Sequence, residues 1–520
     1  MSTGALWQRP ARELARLIAD GEVSATEAVE AHIARIEAVN PALNAVCWKR
    51  YEEARSEARI ADQLRASGAQ LAPLHGVPIT VKECLDLEGS PSTFGLPSRA
   101  NIPAERDDPY VARLRAAGAI IVGKTNVSQL LFFVEADNPL YGRTNNPWNL
   151  ERTPGGSSGG QAAIIAAGGS PLGIGTDIGG SNRVPAAFSG IVGMKATAGR
   201  LPDQGRLSMP IGQRAIVSQV GVFARDVVDL GLGLEILNGG RSPAVEPPMP
   251  LGDPAGVDLS KLRVACFTDD GVLAACPAAR RAVKEAADIL RGAGAQVSEW
   301  RPPDIGEAVS LIYSLFSADG AAGFKRRLGS NRRDARMQQI VMAAGAPSAM
   351  LPAIRALLRL SGRAKTAEVL GNYGHKDTDW YWQLVERLMD YQERWQRALD
   401  ADAIDLILSP AGPLPAVRHR ATLELGIIGG FVCLYNVLGY PAGIVPVTSV
   451  RAGEESDRAP SKDKLDQTAR ASEEGSAGLP ICVQIAARPW REHVAIAAMT
   501  AVERAAKQRP DYPHLSKLWT

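Results

Sequence analysis

Three short stretches of this chain place residues that could together open a carbonyl–nitrogen bond. They are Lys82 at the end of Gly76-Val-Pro-Ile-Thr-Val, the turn Gly155-Gly-Ser-Ser-Gly-Gly160, and the turn Asp177-Ile-Gly-Gly-Ser-Asn-Arg183. In the last of these, successive glycines after an apolar strand can aim backbone N–H groups at one point. Such donors, fixed where negative charge develops, are worth roughly 3 kcal/mol each to an oxyanion. Ser181 follows directly and is the natural nucleophile. Its hydroxyl must lose a proton, and without histidine the available bases are carboxylates or a neutral lysine. His375, His419, His493 and His514 lie in polar or basic surroundings with no strand-end context. A lysine serves only if its pKa falls from about 10.4 toward neutrality, which burial can achieve. Lys82, Lys124 and Lys195 all follow apolar runs, and pattern alone does not rank them.

Other readings of the glycine-serine turns are weaker. A flexible linker is contradicted by the small apolar run that follows Gly160. Gly155-Gly-Ser-Ser-Gly159 fits the nucleophile elbow G-x-S-x-G, which would put the nucleophile at Ser157 and require a histidine downstream. A phosphate loop fails because Gln161 stands where that motif needs lysine. Asp177 and Arg183 flank the second turn with opposite charges, and an ion pair bracing the loop is the expected role for both.

The elements that must hold these groups alternate between helix and strand. Residues 10–40 read as two helices, the second opened by Ser24 with Glu27 three positions on, a capping box. An amphipathic helix follows over 52–68. Strands are predicted at 76–82, 119–124, 172–176, 262–267 and 479–485, with helices at 110–117, 161–167 and 491–507. Residues 240–260 read as a linker, 307–400 as mostly helical, and the charged tract 451–476 as a solvated, flexible loop. This alternation indicates an α/β sheet.

Composition narrows the function. With 520 residues, 45% hydrophobic and 22% charged, the chain can bury a large core. A formal net charge of +2 leaves no electrostatic footprint for nucleic acid, so a small-molecule substrate is expected. The six cysteines are scattered with no metal-ligand spacing, which implies reduced thiols in a cytoplasm and no metal site. No run approaches the roughly 20 apolar residues of a membrane span, and the first residues lack the apolar stretch of a signal peptide.

The two turns together resemble the amidase signature family. The likeness extends through Val77-Pro-Ile-Thr-Val-Lys-Glu83, Gly123-Lys-Thr-Asn126, Gly142-Arg-Thr-Asn-Asn-Pro-Trp148 and Gly190-Ile-Val-Gly-Met-Lys195. It implies the base at Lys82, a bridging serine preceded by a cis peptide at Ser157, the nucleophile at Ser181, and support from Ser158. Within that family the chain is most similar to fatty acid amide hydrolases, through Gly168-Gly-Ser-Pro-Leu-Gly-Ile-Gly-Thr176, Leu434-Tyr-Asn436, Tyr440-Pro-Ala-Gly443 and Gly478-Leu-Pro480. That likeness implies an oxyanion site at Ile178, Gly179, Gly180 and Ser181, and an acyl-channel wall at Leu131, Phe132 and Val134. Two departures stand out: the membrane-spanning N-terminal segment of animal relatives is not expected here, and Asn182 replaces the usual aliphatic residue after the nucleophile.

The resulting expectation is one α/β domain of the amidase signature fold over 1–520, with a mixed twisted sheet covered by helices on both faces. It divides into N-terminal helices (1–70), a catalytic core (71–240) and a helical cap over the substrate (300–400). The expected activity is hydrolysis of a linear carboxylic amide bearing a hydrophobic acyl or aryl group through an acyl-enzyme, without a cofactor, with esters and carbamates also suited to the chemistry. The rivals are a glutamine-hydrolysing amidotransferase subunit and a histidine-dependent esterase. Residues 350–363 fall where the relatives carry a membrane-facing cap. Met350, Leu351, Ile354, Leu357 and Leu358 share a face, so peripheral membrane contact competes with simple packing. A homodimer is compatible with this reading.

Overall fold

Pro78-Ile-Thr-Val-Lys82 is β-branched at its centre and bounded by turn residues, and in a computed structural model it forms a strand buried at every position. The structure describes residues 3–201, 212–238, 249–371, 373–426, 429–515 and 518. The strands are β1 (Val46–Lys49), β2 (Pro78–Lys82), β3 (Ile120–Thr125), β4 (Leu172–Asp177), β5 (Val192–Lys195), β6 (Gln219–Ala224), β7 (Arg263–Cys266), β8 (Gln296–Glu299), β9 (Leu406–Pro410), β10 (Ala442–Ser449) and β11 (Pro480–Ala487). They form one 11-stranded sheet in the order β1-β3-β2-β4-β6-β5-β10-β11-β9-β7-β8. The sheet is mixed: β3-β2-β4 and β9-β7-β8 run parallel within each group, while the pairs joining β4 to β9 through β6, β5, β10 and β11 are antiparallel. The described strands from Val46 to Ala487 thus share this one sheet.

Helices cover the sheet. Gly159–Ala166 is buried at all its positions, and its small residues Ala162, Ala163 and Ala166 let it lie close to the strands. Ala162, Ile165 and Ala166 pack with Ala186, Ala187 and Phe223, and Ala163 and Ile164 face the helix Ala25–Leu43 on the other side. That long helix starts at Ser24 with the capping box formed as predicted, Ser24 and Glu27 satisfying each other's backbone N–H groups. The amphipathic helix is Tyr51–Ala66 and the closing helix Glu492–Ala506.

Part of the linker read at 240–260 lies outside the described residues. Inside 451–476, read from composition as a flexible loop, the structure forms a helix over Lys464–Glu473, and Arg458 pairs with the buried Glu473 at 2.7 Å. Arg451, Glu454, Asp457 and Asp466 pair with Asp511, Arg281, Arg280 and Lys365 outside the tract.

The segment expected to be a cap holds the helices Ile305–Ser317, Ala322–Leu328, Ala335–Ala344, Leu351–Leu360, Ala364–Leu370 and Thr378–Ala401. Arg336 ties this segment to the core, reaching Glu135 at 2.8 Å, Asp334 at 2.7 Å and Asp137 at 2.6 Å. In Leu351–Leu360 only Leu351 is buried, and Leu357 and Leu360 are exposed. Among the described residues no helix is long and apolar enough to cross a membrane.

Candidate active site

The catalytic candidates meet at the carboxyl ends of the parallel strands, where open α/β sheets place their sites. β2 and β4 are adjacent and in register at Thr80↔Gly173 and Val81↔Ile174, so Lys82 finishes beside the end of β4. Lys82 is fully buried, and its Nζ donates to Ser157 Oγ and to Thr176 Oγ1, both at 2.8 Å. Lys124 is turned elsewhere, onto Pro91 O at 2.7 Å and Ser92 Oγ at 3.0 Å, and Lys195 donates to Ala196 O at 2.9 Å. Geometry therefore separates three lysines that pattern left equal.

Ser157 and Ser158 stand just before the helix Gly159–Ala166, and the Gly156–Ser157 peptide is cis. Gly156 is required by close approach: a Cβ there would come within 2.6 Å of Glu135 N and 2.8 Å of Phe133 O. The two serine turns are joined directly, since Ser158 N–H donates to Ser181 O at 3.2 Å.

The turn after β4 is organised by Asp177, which is fully buried. Its Oδ1 accepts from Gly180 N at 2.9 Å and Asn436 Nδ2 at 2.9 Å, and its Oδ2 accepts from Asn182 N at 3.2 Å. Arg183, also fully buried, pairs with it at 3.1 Å and spends its other donors on Val432 O (2.7 Å), Gln484 Oε1 (2.8 Å) and Asn436 Oδ1 (2.6 Å). Burial opposes ionisation of Asp177, but the Arg183 charge and these bonds hold it well below the usual carboxylate range. Gly180 sits at φ 106, a conformation glycine adopts freely, and its N–H is taken by Asp177. Ile178, Gly179 and Ser181 instead line a cavity of about 240 Å³.

That cavity also takes in Leu131, Phe132 and Val134, together with Val309, Ile312 and Phe316 of the segment expected as the cap. Phe132 lies 4.5 Å from Phe324 and 5.7 Å from Phe316 between ring centroids, an aromatic cluster linking core loop to that segment. Leu130 and Leu131 take positive φ values of 51° and 61°, which cost of order 1–3 kcal/mol each and persist where surrounding structure holds them. No histidine is among the lining residues, and no cluster able to hold a metal ion occurs among the described residues.

A model of the Amidase family matches residues 27–495. The chain belongs to the amidase family. It is an amide-hydrolysing enzyme, an amidase signature amidohydrolase similar to fatty acid amide hydrolases. Fatty-acid amide hydrolase 1 of Sus scrofa is 35% identical over 95% of this amidase and 85% of that protein. Indoleacetamide hydrolase of Bradyrhizobium diazoefficiens is 33% identical over 97% and 87% of the two chains. A solved fatty acid amide hydrolase superposes with a TM-score of 0.82 at 26% identity, over 97% of this chain and 86% of the other.

Sequence reasoning missed Thr176, Asn436 and Gln484. Thr176 reads as an ordinary strand residue until β2 and β4 pair and bring it to Lys82. Asn436 and Gln484 are far along the chain and reach Arg183 only once the helix Gly430–Val437 and β11 are in place.

Lys195 gives the amidase a pH-dependent stability. Burial, aided by the charge of Arg183, lowers its pKa to about 7. Between about 7 and the unfolded value near 10.4, the unfolded chain binds a proton that the folded one does not. Stability therefore rises with pH across that window and is lost below it. Lys195→Met is expected to flatten this rise, by an amount on the order of a few kcal/mol, in denaturant unfolding compared at pH 6.5 and 9.5. Equal slopes for parent and variant would count against it.

Proposed function

We propose that the enzyme cleaves a linear carboxylic amide with a hydrophobic acyl or aryl group through an acyl-enzyme on Ser181. Lys82 in neutral form takes a proton from Ser157, which takes one from Ser181 as Ser181 Oγ attacks the carbonyl carbon. The N–H groups of Ile178, Gly179 and Ser181 receive the oxyanion, and Gly180 shapes the turn through its bond to Asp177. The proton then returns by way of Ser157 to the departing amine as the carbon–nitrogen bond breaks. Water enters, gives its proton to the same relay, attacks the ester and restores Ser181 while the acid leaves. The steps balance with water as the only co-reactant.

The observation that carries this reading is the 2.8 Å contact between Lys82 Nζ and Ser157 Oγ beside a turn whose Ser181 faces the apolar cavity. An amine accepts a proton only when uncharged, and a site removed from water disfavours the ammonium. Ser158 supports the pair through its bond to Ser181 O, and the Asp177–Arg183 pair braces the turn. Leu131, Phe132 and Val134 form part of the acyl wall. The absence of histidine among the lining residues disfavours an esterase with a histidine base, and the apolar lining disfavours glutamine. Exposed Met350, Leu357 and Leu360 support peripheral contact with an apolar surface through 350–363.

A substrate panel tests the substrate class. Fatty and aryl amides are expected to have kcat/KM at least about a hundredfold above glutamine, because each buried apolar side chain contributes roughly 1.5–3 kcal/mol. Esters and carbamates with the same acyl side should also turn over. Glutamine as the best substrate would sink this assignment.

A further inference from the structure

Asn182 is fully buried directly after Ser181, in a slot that only two facing glycines leave open. Gly175 of β4 pairs with Gly221 of β6. A Cβ on Gly175 would come within 2.5 Å of Asn182 Oδ1 and 2.7 Å of Ser158 Oγ, and one on Gly221 would collide with Asn182 Nδ2. The two glycines thus leave room for a side chain lying against the Ser158 hydroxyl. Ser158 Oγ has one proton and two acceptors at 3.4 Å, Thr176 O and Asn182 Oδ1. Asn182 Nδ2 is buried without a hydrogen-bond partner. Leaving such a donor unsatisfied costs about 1–3 kcal/mol, so the group calls for an explanation.

Turning the amide over exchanges its two atoms: Oδ1 takes the unpartnered position and Nδ2 comes to 3.4 Å from Ser158 Oγ, so in either orientation the side-chain amide's one hydrogen bond among the described residues is to Ser158. With the amide turned, Nδ2 donates to Ser158 Oγ, whose proton goes undivided to Thr176 O. Thr176 is the residue whose hydroxyl receives Lys82 Nζ, and Ser158 is the residue whose N–H holds Ser181 O. We propose that Asn182 is a positioning residue for catalysis: its amide orients Ser158 and thereby fixes Ser157, Ser181 and Lys82 relative to one another. An aliphatic residue in the same slot fills space but neither donates to Ser158 nor accepts from it. This inference rests on the catalytic assignment made above.

Steady-state kinetics on the p-nitroanilide of a medium-chain fatty acid test it, with a fluorophosphonate probe as a second readout. Asn182→Leu is expected to lower kcat about tenfold while KM stays within about twofold, and to slow probe labelling in proportion. Ser158→Ala should show a similar loss. Because the two act through one contact, the double variant is expected to fall no more than about twofold below the worse single variant. A kcat for Asn182→Leu within twofold of the parent, or a double variant that loses the product of the single losses, would overturn the proposal. Should Asn182→Leu fail to fold, Asn182→Val is read by the same criteria. A parent that neither cleaves the anilide nor takes the probe overturns the catalytic assignment and this proposal with it, whereas an active parent with an unaffected variant overturns this proposal alone.

Discussion

Ser181→Ala is expected to lower amide turnover by at least about a thousandfold while leaving thermal stability nearly unchanged. Removing a nucleophile deletes the covalent route altogether, and the oxyanion donors that remain can only assist direct attack by water, a residual effect of roughly 10³–10⁴ over the uncatalysed rate in serine hydrolases. The substitution removes one oxygen from a side chain that faces the cavity. The backbone contacts of the turn, from Asp177 to Gly180 N and from Ser158 N to Ser181 O, do not depend on it. Kinetics and a melting curve on the same preparation check both halves. Turnover within tenfold of the parent would assign the attack to another group.

Lys82→Met should be nearly as damaging to activity, with a loss of about 10²–10⁴ in kcat, the range that a positioned general base contributes. Methionine keeps most of the length and volume of the buried stem but cannot accept a proton. The expected loss rests on the contacts of Nζ with Ser157 Oγ and Thr176 Oγ1 and on the relay proposed through them. Labelling of Ser181 should slow with turnover, since the same proton must leave before attack. Lys124 and Lys195 make their bonds away from both serine turns, so neither can substitute. Retained turnover in Lys82→Met would require a different base.

The elements that depend on local chain chemistry were legible in the sequence. The short β-branched run that forms the strand ending at Lys82 is a feature of a few neighbouring residues, though pattern alone left Lys82 level with Lys124 and Lys195. The N-terminal capping box is equally local. What escaped was the product of long-range pairing. The strands β5, β6, β9 and β10 are short or broken by Gly and Pro, and they acquire their identity from neighbours on either side in the sheet. Thr176, Asn436 and Gln484 are polar residues on buried elements, and their partners are set by that sheet order and by the helix Gly430–Val437. The charged tract ending at Glu473 misled for the opposite reason. Its composition resembles solvated chain, yet Arg281, Lys365 and Asp511 elsewhere in the chain pair with Glu454, Asp466 and Arg451 of the tract.

Asp177 shows how a turn read as an oxyanion nest divides in practice. Four residues share the glycine-rich segment, but the carboxylate claims the N–H of Gly180 and so decides which donors can face the cavity.

The most direct test of the account is to react the protein with a fluorophosphonate, digest it and locate the adduct by mass spectrometry. The account predicts one phosphonyl group on Ser181. An adduct confined to Ser157, with Ser181 unmodified, would contradict it.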